Sequence, residues 1–360
     1  MTQILHAYLF AYIYWLMIPL GCTAILMMHH LTGGWWGYPI RRLLEAGSRT
    51  FGVMLLLFIP ILLGMKQIYP WADSPGDMAG DPNFHFKLEY LNPRFFMLRV
   101  VIYFVILLGL AHFLNKWSRE QDETGDPLLA KYLEGMSGPG LILWGLAISF
   151  SMIDWVMSLE PHWFSTIYGM IFMIVSALTA MSFVIVVLRR LAGDDRIKDK
   201  ITPGQYNDLG NLMLAFTMLW AYLSFSQFLI IWAGNIKDEI PWYMSRAFGG
   251  WAKVAVVLIV LHFALPFLLL LQRNIKRRVH RLSMVAGMMI VLSMVDVYWL
   301  VVPAYEKDGP RLGSLFWDVF YLVVIGAIWA ATYFWQLGKM PLLPLHDPRF
   351  EGELQHEHGD

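Results

Sequence analysis

The feature that most constrains this chain is a succession of nine apolar runs, each long enough to cross a bilayer, with the charged residues gathered largely between them. A hydrocarbon core of about 30 Å takes roughly 20 apolar residues in a helix that rises about 1.5 Å per residue. The runs cover residues 6–29, 46–64, 95–115, 139–160, 165–188, 208–233, 251–272, 281–303 and 314–337. Inside hydrocarbon every backbone N–H and C=O must be satisfied within the protein, which runs of this length achieve as helices. The expectation is an all-α integral membrane protein. Only 15% of the 360 residues are charged, against about 25% in soluble domains. That shortage excludes an ordinary soluble enzyme, a disordered chain and a nucleic-acid binder with a basic face. Lys+Arg and Asp+Glu balance at 27 each, so the partner that the composition demands is the lipid bilayer.

Lys and Arg divide unevenly between the two sets of loops. One set carries 18, including Arg41, Arg42 and Arg49, Lys116, Arg119 and Lys131, the stretches 189–200 and 273–281, and the tail; the other carries 8. By the positive-inside rule the C-terminus faces the cytoplasm and the N-terminus the outside of a bacterial inner membrane. The first run has no basic residue ahead of it and no small-residue cleavage site behind it, so it reads as a retained helix. The outer segments 65–94 and 234–250 are long enough to form a folded cap, and 160–164 is a tight turn. The last twenty residues read as an extended, acidic cytoplasmic tail.

Short motifs recur in tandem. Ser151-Met152-Ile153-Asp154 precedes Pro161, and Ser293-Met294-Val295-Asp296 precedes Pro303, the proline standing seven residues after the aspartate in each case. His112-Phe113 has a counterpart in His262-Phe263, and the segment from Pro93 to Arg99 has one in Pro241 to Arg246. These pairs join the fourth helix to the eighth and the third to the seventh in the same direction. They predict two tandem four-helix bundles, 1–160 and 161–303, followed by an outer loop and ninth helix at 304–337 and a tail at 338–360.

An ionisable group near the midplane costs about 2.5–3.5 kcal/mol on insertion scales, so each one invites an explanation. From the helical rise, Asp154 and Asp296 fall roughly 6 Å outside the midplane and Asp318 roughly 10 Å outside. Lys253 and Arg99 share that outer half, His262 lies near the middle, and His112, His29 and His30 lie toward the cytoplasm. Together they describe a polar column with carboxylates outside and imidazoles inside, suited to a proton path or a quinone pocket. Asp154, Asp296, His112 and His262 are its main candidates, with Glu160 and His162 as proton acceptors at the outer end. The bland alternative is ion pairing: Lys253 with Asp318 or Asp296, and Arg99 with another carboxylate, fixing how the bundles pack. His29 and His30 are expected at the interface with Arg41 and Arg42, and Trp155 and Trp163 as headgroup anchors.

The single cysteine, Cys22, cannot hold an iron–sulfur cluster, a structural zinc or an internal disulfide. The membrane histidines form no pair with the spacing that two-haem bundles use. No metal and no covalently bound cofactor is therefore expected on this chain.

The run His29-His30-Leu31-Thr32-Gly33-Gly34 with Arg41-Arg42, Gln121-Asp122 near Gly125-Asp126, and above all Asp154 to Ser165 resemble the NrfD-like, polysulfide-reductase-like membrane subunits of alternative complex III, of the ActF type. The resemblance covers nearly the whole chain. It implies two four-helix bundles with flanking helices and a place in a quinol:cytochrome c type oxidoreductase. Its implied partners are a multihaem cytochrome, an iron–sulfur subunit, a sister NrfD-like membrane subunit and a terminal oxidase, with haem and iron–sulfur clusters residing in those partners and a quinone or quinol as ligand. Longer members carry one more helix ahead of the His-His-Leu-Thr-Gly-Gly span, and this chain begins without it. Two other classes fit the residues: a stand-alone proton-coupled secondary transporter, and a purely architectural membrane subunit.

Overall fold

A computed structural model of the chain describes residues 2–73, 85–194, 197, 200–344 and 347. Among them nine helices are long and apolar enough to cross a membrane: α1 Thr2–Thr32, α2 Arg41–Leu63, α3 Pro93–Thr124, α4 Pro127–Leu159, α5 Tyr168–Leu191, α6 Pro203–Gly234, α7 Gly249–Leu271, α8 Val279–Ala304 and α9 Gly313–Leu337. No strand occurs among the described residues. The chain is a multi-span all-α membrane protein. The middle of the 65–94 segment, Arg196, Lys198 and most of the predicted tail lie outside the described residues.

Several helices run well past their apolar stretches. α3 continues nine residues beyond 115, and α4 begins twelve before 139, because hydropathy registers only the part that lipid surrounds while the charged continuation keeps good helix formers. Local chemistry sets the ends instead. Asn92 accepts the Phe95 N–H at 2.9 Å and Asp126 the Leu128 N–H at 2.9 Å, each with proline at the first helical position. Thr202 and Gln205 form a reciprocal capping box at the start of α6. Gly125, at φ 67°, closes α3 in the left-handed conformation that a glycine adopts without strain.

α1 and α5, the first helices of the two predicted units, are the most buried spans and pack on one another at the centre. Gly21 makes that approach possible: a Cβ there would stand 1.9 Å from the Ser176 carbonyl oxygen and 2.6 Å from the Ala180 Cβ. α8 covers the other side of α5, while α9, α4 and α2 pack around α1. Aromatic hydrogen bonds stitch the centre together, with Trp144 donating to the Leu20 carbonyl at 3.1 Å and Trp329 to Thr50 Oγ1 at 3.0 Å.

The expected interfacial positions are corrected at both ends. His29, His30, Arg41 and Arg42 are all buried, because the loop after α1 and the extensions of α3 and α4 close over them. Glu45 bridges the two arginines at 3.1 and 2.6 Å, and Ser118, Gln121, Asp122 and Asp347 complete the network. Trp155 is fully buried against Phe58 and Phe104, and Trp163 stacks on Trp242 with centroids 4.7 Å apart, so neither anchors at a headgroup.

Candidate functional site

The repeated Ser-Met-x-Asp motif ends in two different environments. In the first, Arg99 of α3 grips Asp154 of α4 through both Nε at 2.7 Å and Nη2 at 2.9 Å. Tyr103, one turn along from Arg99 on the same face, donates its hydroxyl to Asp154 at 2.6 Å. Nη1 of the same guanidinium donates to the Tyr90 carbonyl at 2.8 Å, and the group lies over the Tyr90 ring at 3.8 Å. Ser151 turns back onto its own helix, donating to the Ile148 carbonyl at 3.0 Å. This is a neutralised, saturated charge pair. It forms the ion pair foreseen for Arg99, but it joins α3 to α4 within one unit and links no second bundle.

In the second environment Asp296 of α8 is 3% exposed and accepts the indole N–H of Trp220, from α6, at 2.8 Å. No cation pairs with it among the described residues. The Trp220 ring packs against His262 of α7 with centroids 4.5 Å apart. His262 Nε2 lies 3.4 Å from Ser293 Oγ, one turn before Asp296 on α8, while His262 Nδ1 has no hydrogen-bond partner among the described residues. Three helices thus bring a carboxyl, an indole, an imidazole and a hydroxyl to one buried point.

The backbone at His262 is unusual. Residues Leu258–Ala264 form a π-helical turn, closed by the Leu265 N–H bonding to the Val260 carbonyl. Pro266 stands four residues beyond His262 and has no N–H to offer the His262 carbonyl, so an α-helical ladder cannot run through this position. Widened turns of this kind concentrate at functional sites.

Arg246, which the repeat aligns with Arg99, makes no ion pair with Asp296 among the described residues. Arg246, fully buried on the short outer helix Ile240–Ala247, donates to Glu160 at 2.9 Å and to the carbonyls of Trp242, Trp299 and Leu300 at 3.1–3.4 Å. It therefore caps the C-terminal end of α8 and ties it to the turn between α4 and α5. Glu160 is held in this ion pair, and His162 beside it is exposed.

Other predicted partners do not meet. Lys253 makes no ion pair with Asp318 or Asp296: two residues from the buried Trp251, it lies on the opposite, exposed face of α7. Asp318 accepts the Tyr298 hydroxyl at 3.2 Å instead and lines a cavity of about 250 Å³ beside the start of α1 with His6, Tyr305 and Glu306. His112 is exposed on α3, away from His262, so the polar column does not continue through it. No group of three or more His, Cys, Asp or Glu placed to hold a metal occurs among the described residues. Trp220 and Tyr103 were not foreseen. Tyr103 was accessible as the residue one turn from Arg99, whereas nothing in the sequence marked one tryptophan of sixteen. No protein-family model and no curated protein matches this chain.

Proposed function

We propose that this chain is the integral membrane subunit of a respiratory quinol:electron-acceptor oxidoreductase of the alternative complex III type, and that its second unit handles protons at Asp296 and His262. The observation that carries the proton assignment is the contrast between two motif aspartates. Asp154 is spent on Arg99 and Tyr103, whereas Asp296 meets an indole and stands beside an imidazole with a free nitrogen. A carboxyl, a hydroxyl and an imidazole can each accept and release a proton, and a widened helical turn gives the imidazole's backbone room to adjust.

The respiratory assignment rests on the residues His29 to Gly34, Arg41-Arg42 and Asp154 to Ser165. In this reading a multihaem cytochrome and an iron–sulfur subunit carry the electrons, and the outer cavity beside His6, Tyr305 and Glu306 offers hydrogen-bonding groups to a quinol head group. The basic-loop end faces the cytoplasm, and the N-terminus faces outside.

Two measurements test the proposal. Affinity purification of the full chain from its native membrane is expected to bring down haem-containing polypeptides; a chain that purifies alone, with no haem absorbance, overturns the respiratory assignment. In the purified complex in proteoliposomes, Asp296→Asn is expected to abolish quinol-driven proton movement with the helical content unchanged. Undiminished proton movement in that variant overturns the proton assignment.

A further inference from the structure

A second cavity, of about 350 Å³, opens at the basic-loop end between α2, α3 and α9. Its volume falls at the lower end of the range of about 300–1,000 Å³ typical of ligand sites. Leu108, His112, Lys116 and Arg119 occupy it from α3, at spacings of four, four and three that place them on one helical stripe. Arg49 enters from α2, and no Asp or Glu lines the cavity. The stripe is graded along the membrane normal. Leu108 and Ala111 make an apolar floor, and Arg119 stands roughly 10 Å above His112 by helical rise.

The cationic wall is built in advance. Arg49 donates from Nε to Asn115 Oδ1 at 2.7 Å, and Asn115 is fixed by its own donations to Ser48 Oγ at 2.8 Å and to the Ala111 carbonyl at 2.7 Å. Glu45 lies 3.9 Å from Arg49 and also bridges Arg41 and Arg42, so a single carboxylate is shared among three guanidinium groups. Lys116 and Arg119 are exposed and make no ion pair among the described residues.

We infer that this cavity is a binding site for an anionic phospholipid, with the phosphate held among Arg49, Lys116 and Arg119 and an acyl chain descending past His112 onto Leu108 and Ala111. Charge selects an anion, and the apolar floor below the basic rim selects one that carries a hydrocarbon chain. Basic pockets between helices at this level of a membrane have the same electrostatic logic.

Native mass spectrometry of the full chain in detergent tests it, titrating phosphatidylglycerol, phosphatidylcholine of the same chains, and inorganic phosphate. Phosphatidylglycerol is expected to bind at least about tenfold more tightly than phosphatidylcholine, with inorganic phosphate failing to compete at equal concentration. K116Q/R119Q is expected to erase that preference. The control K131Q/R273Q, which removes two exposed charges elsewhere at the same end, is expected to keep it. The inference is overturned if K116Q/R119Q retains the preference, if both double variants lose it equally, or if inorganic phosphate displaces the lipid.

Discussion

Trp220 donates its indole N–H to Asp296 across 2.8 Å, whereas Asp154, the aspartate of the matching motif, is gripped by Arg99. The two aspartates share a sequence context and differ in what answers them. One is held by a guanidinium cation; the other is held by a neutral donor. The same substitution should therefore have opposite consequences at the two sites.

Asp154→Asn leaves the Arg99 guanidinium buried without its counter-charge. Breaking a buried pair from one side typically costs about 3–5 kcal/mol. The expected result is a large loss of folded protein in detergent, read by fluorescence size-exclusion chromatography after heating, with partial recovery when Arg99→Gln is added. Asp296→Asn removes no ion pair, and its melting behaviour should stay close to that of the parent.

Trp220→Phe keeps the ring that packs on His262 and deletes the N–H that reaches Asp296. The unsatisfied acceptor costs about 1–3 kcal/mol, and the folded state should survive it. Proton movement by the assembled complex is expected to slow, while Trp144→Phe, which deletes an indole bond to the Leu20 carbonyl, leaves proton movement intact.

The α1–α5 crossing is the most sensitive packing point. Gly21→Val places side-chain atoms where even a Cβ stands 1.9 Å from the Ser176 carbonyl oxygen. Overpacking of that kind costs about 1–3 kcal/mol and occasionally more. Gly109→Ala, where a Cβ meets nothing within 4 Å, should be neutral in the same thermal assay.

Arg246 and Glu160 are partners of unequal weight. Arg246→Gln strips donors from three carbonyls as well as the carboxylate, whereas Glu160→Gln leaves those backbone bonds in place, and Glu160 is itself 23% exposed. The arginine variant should lower the melting temperature several degrees further than the glutamine at 160, as a paired thermal scan would show.

The nine spans were legible because lipid imposes a length and a polarity on each of them, and both are written in consecutive residues. Their ends were less so: α3 and α4 continue as helices through charged residues to caps at Gly125 and Asp126, and α6 begins five residues early, at a cap on Thr202. Depth could be read from the sequence, and Asp154, Arg99, Asp296 and His262 were all singled out by it. Direction could not. In a segment apolar all round, as α7 is, nothing tells the inward face from the lipid face, so Lys253 was paired with acids it faces away from. His112 and His262, each followed by phenylalanine, looked equivalent, yet one is exposed and the other buried. Cross-helix partners such as Trp220 depend on which three helices meet, which is a property of packing and not of spacing.

The widened turn in α7 also sets the phase of that helix. Leu258, His262, Pro266 and Leu270 are its buried residues from the turn onward, an unbroken rhythm of four. In a regular α-helix each step of four overshoots a full turn by about 40°, so three steps would swing Leu270 about 120° away from Leu258. The extra residue accommodated in the turn absorbs that drift and keeps all four on one side. Deleting one residue between 259 and 264 would let a regular helix replace the turn while leaving Leu270 within about 20° of the Leu258 direction, because eleven regular steps make about three full turns. Straightening the turn without that deletion would instead swing Leu270 out of the interior, so the widened turn is what lets this span carry one more residue without changing which side chains face the protein.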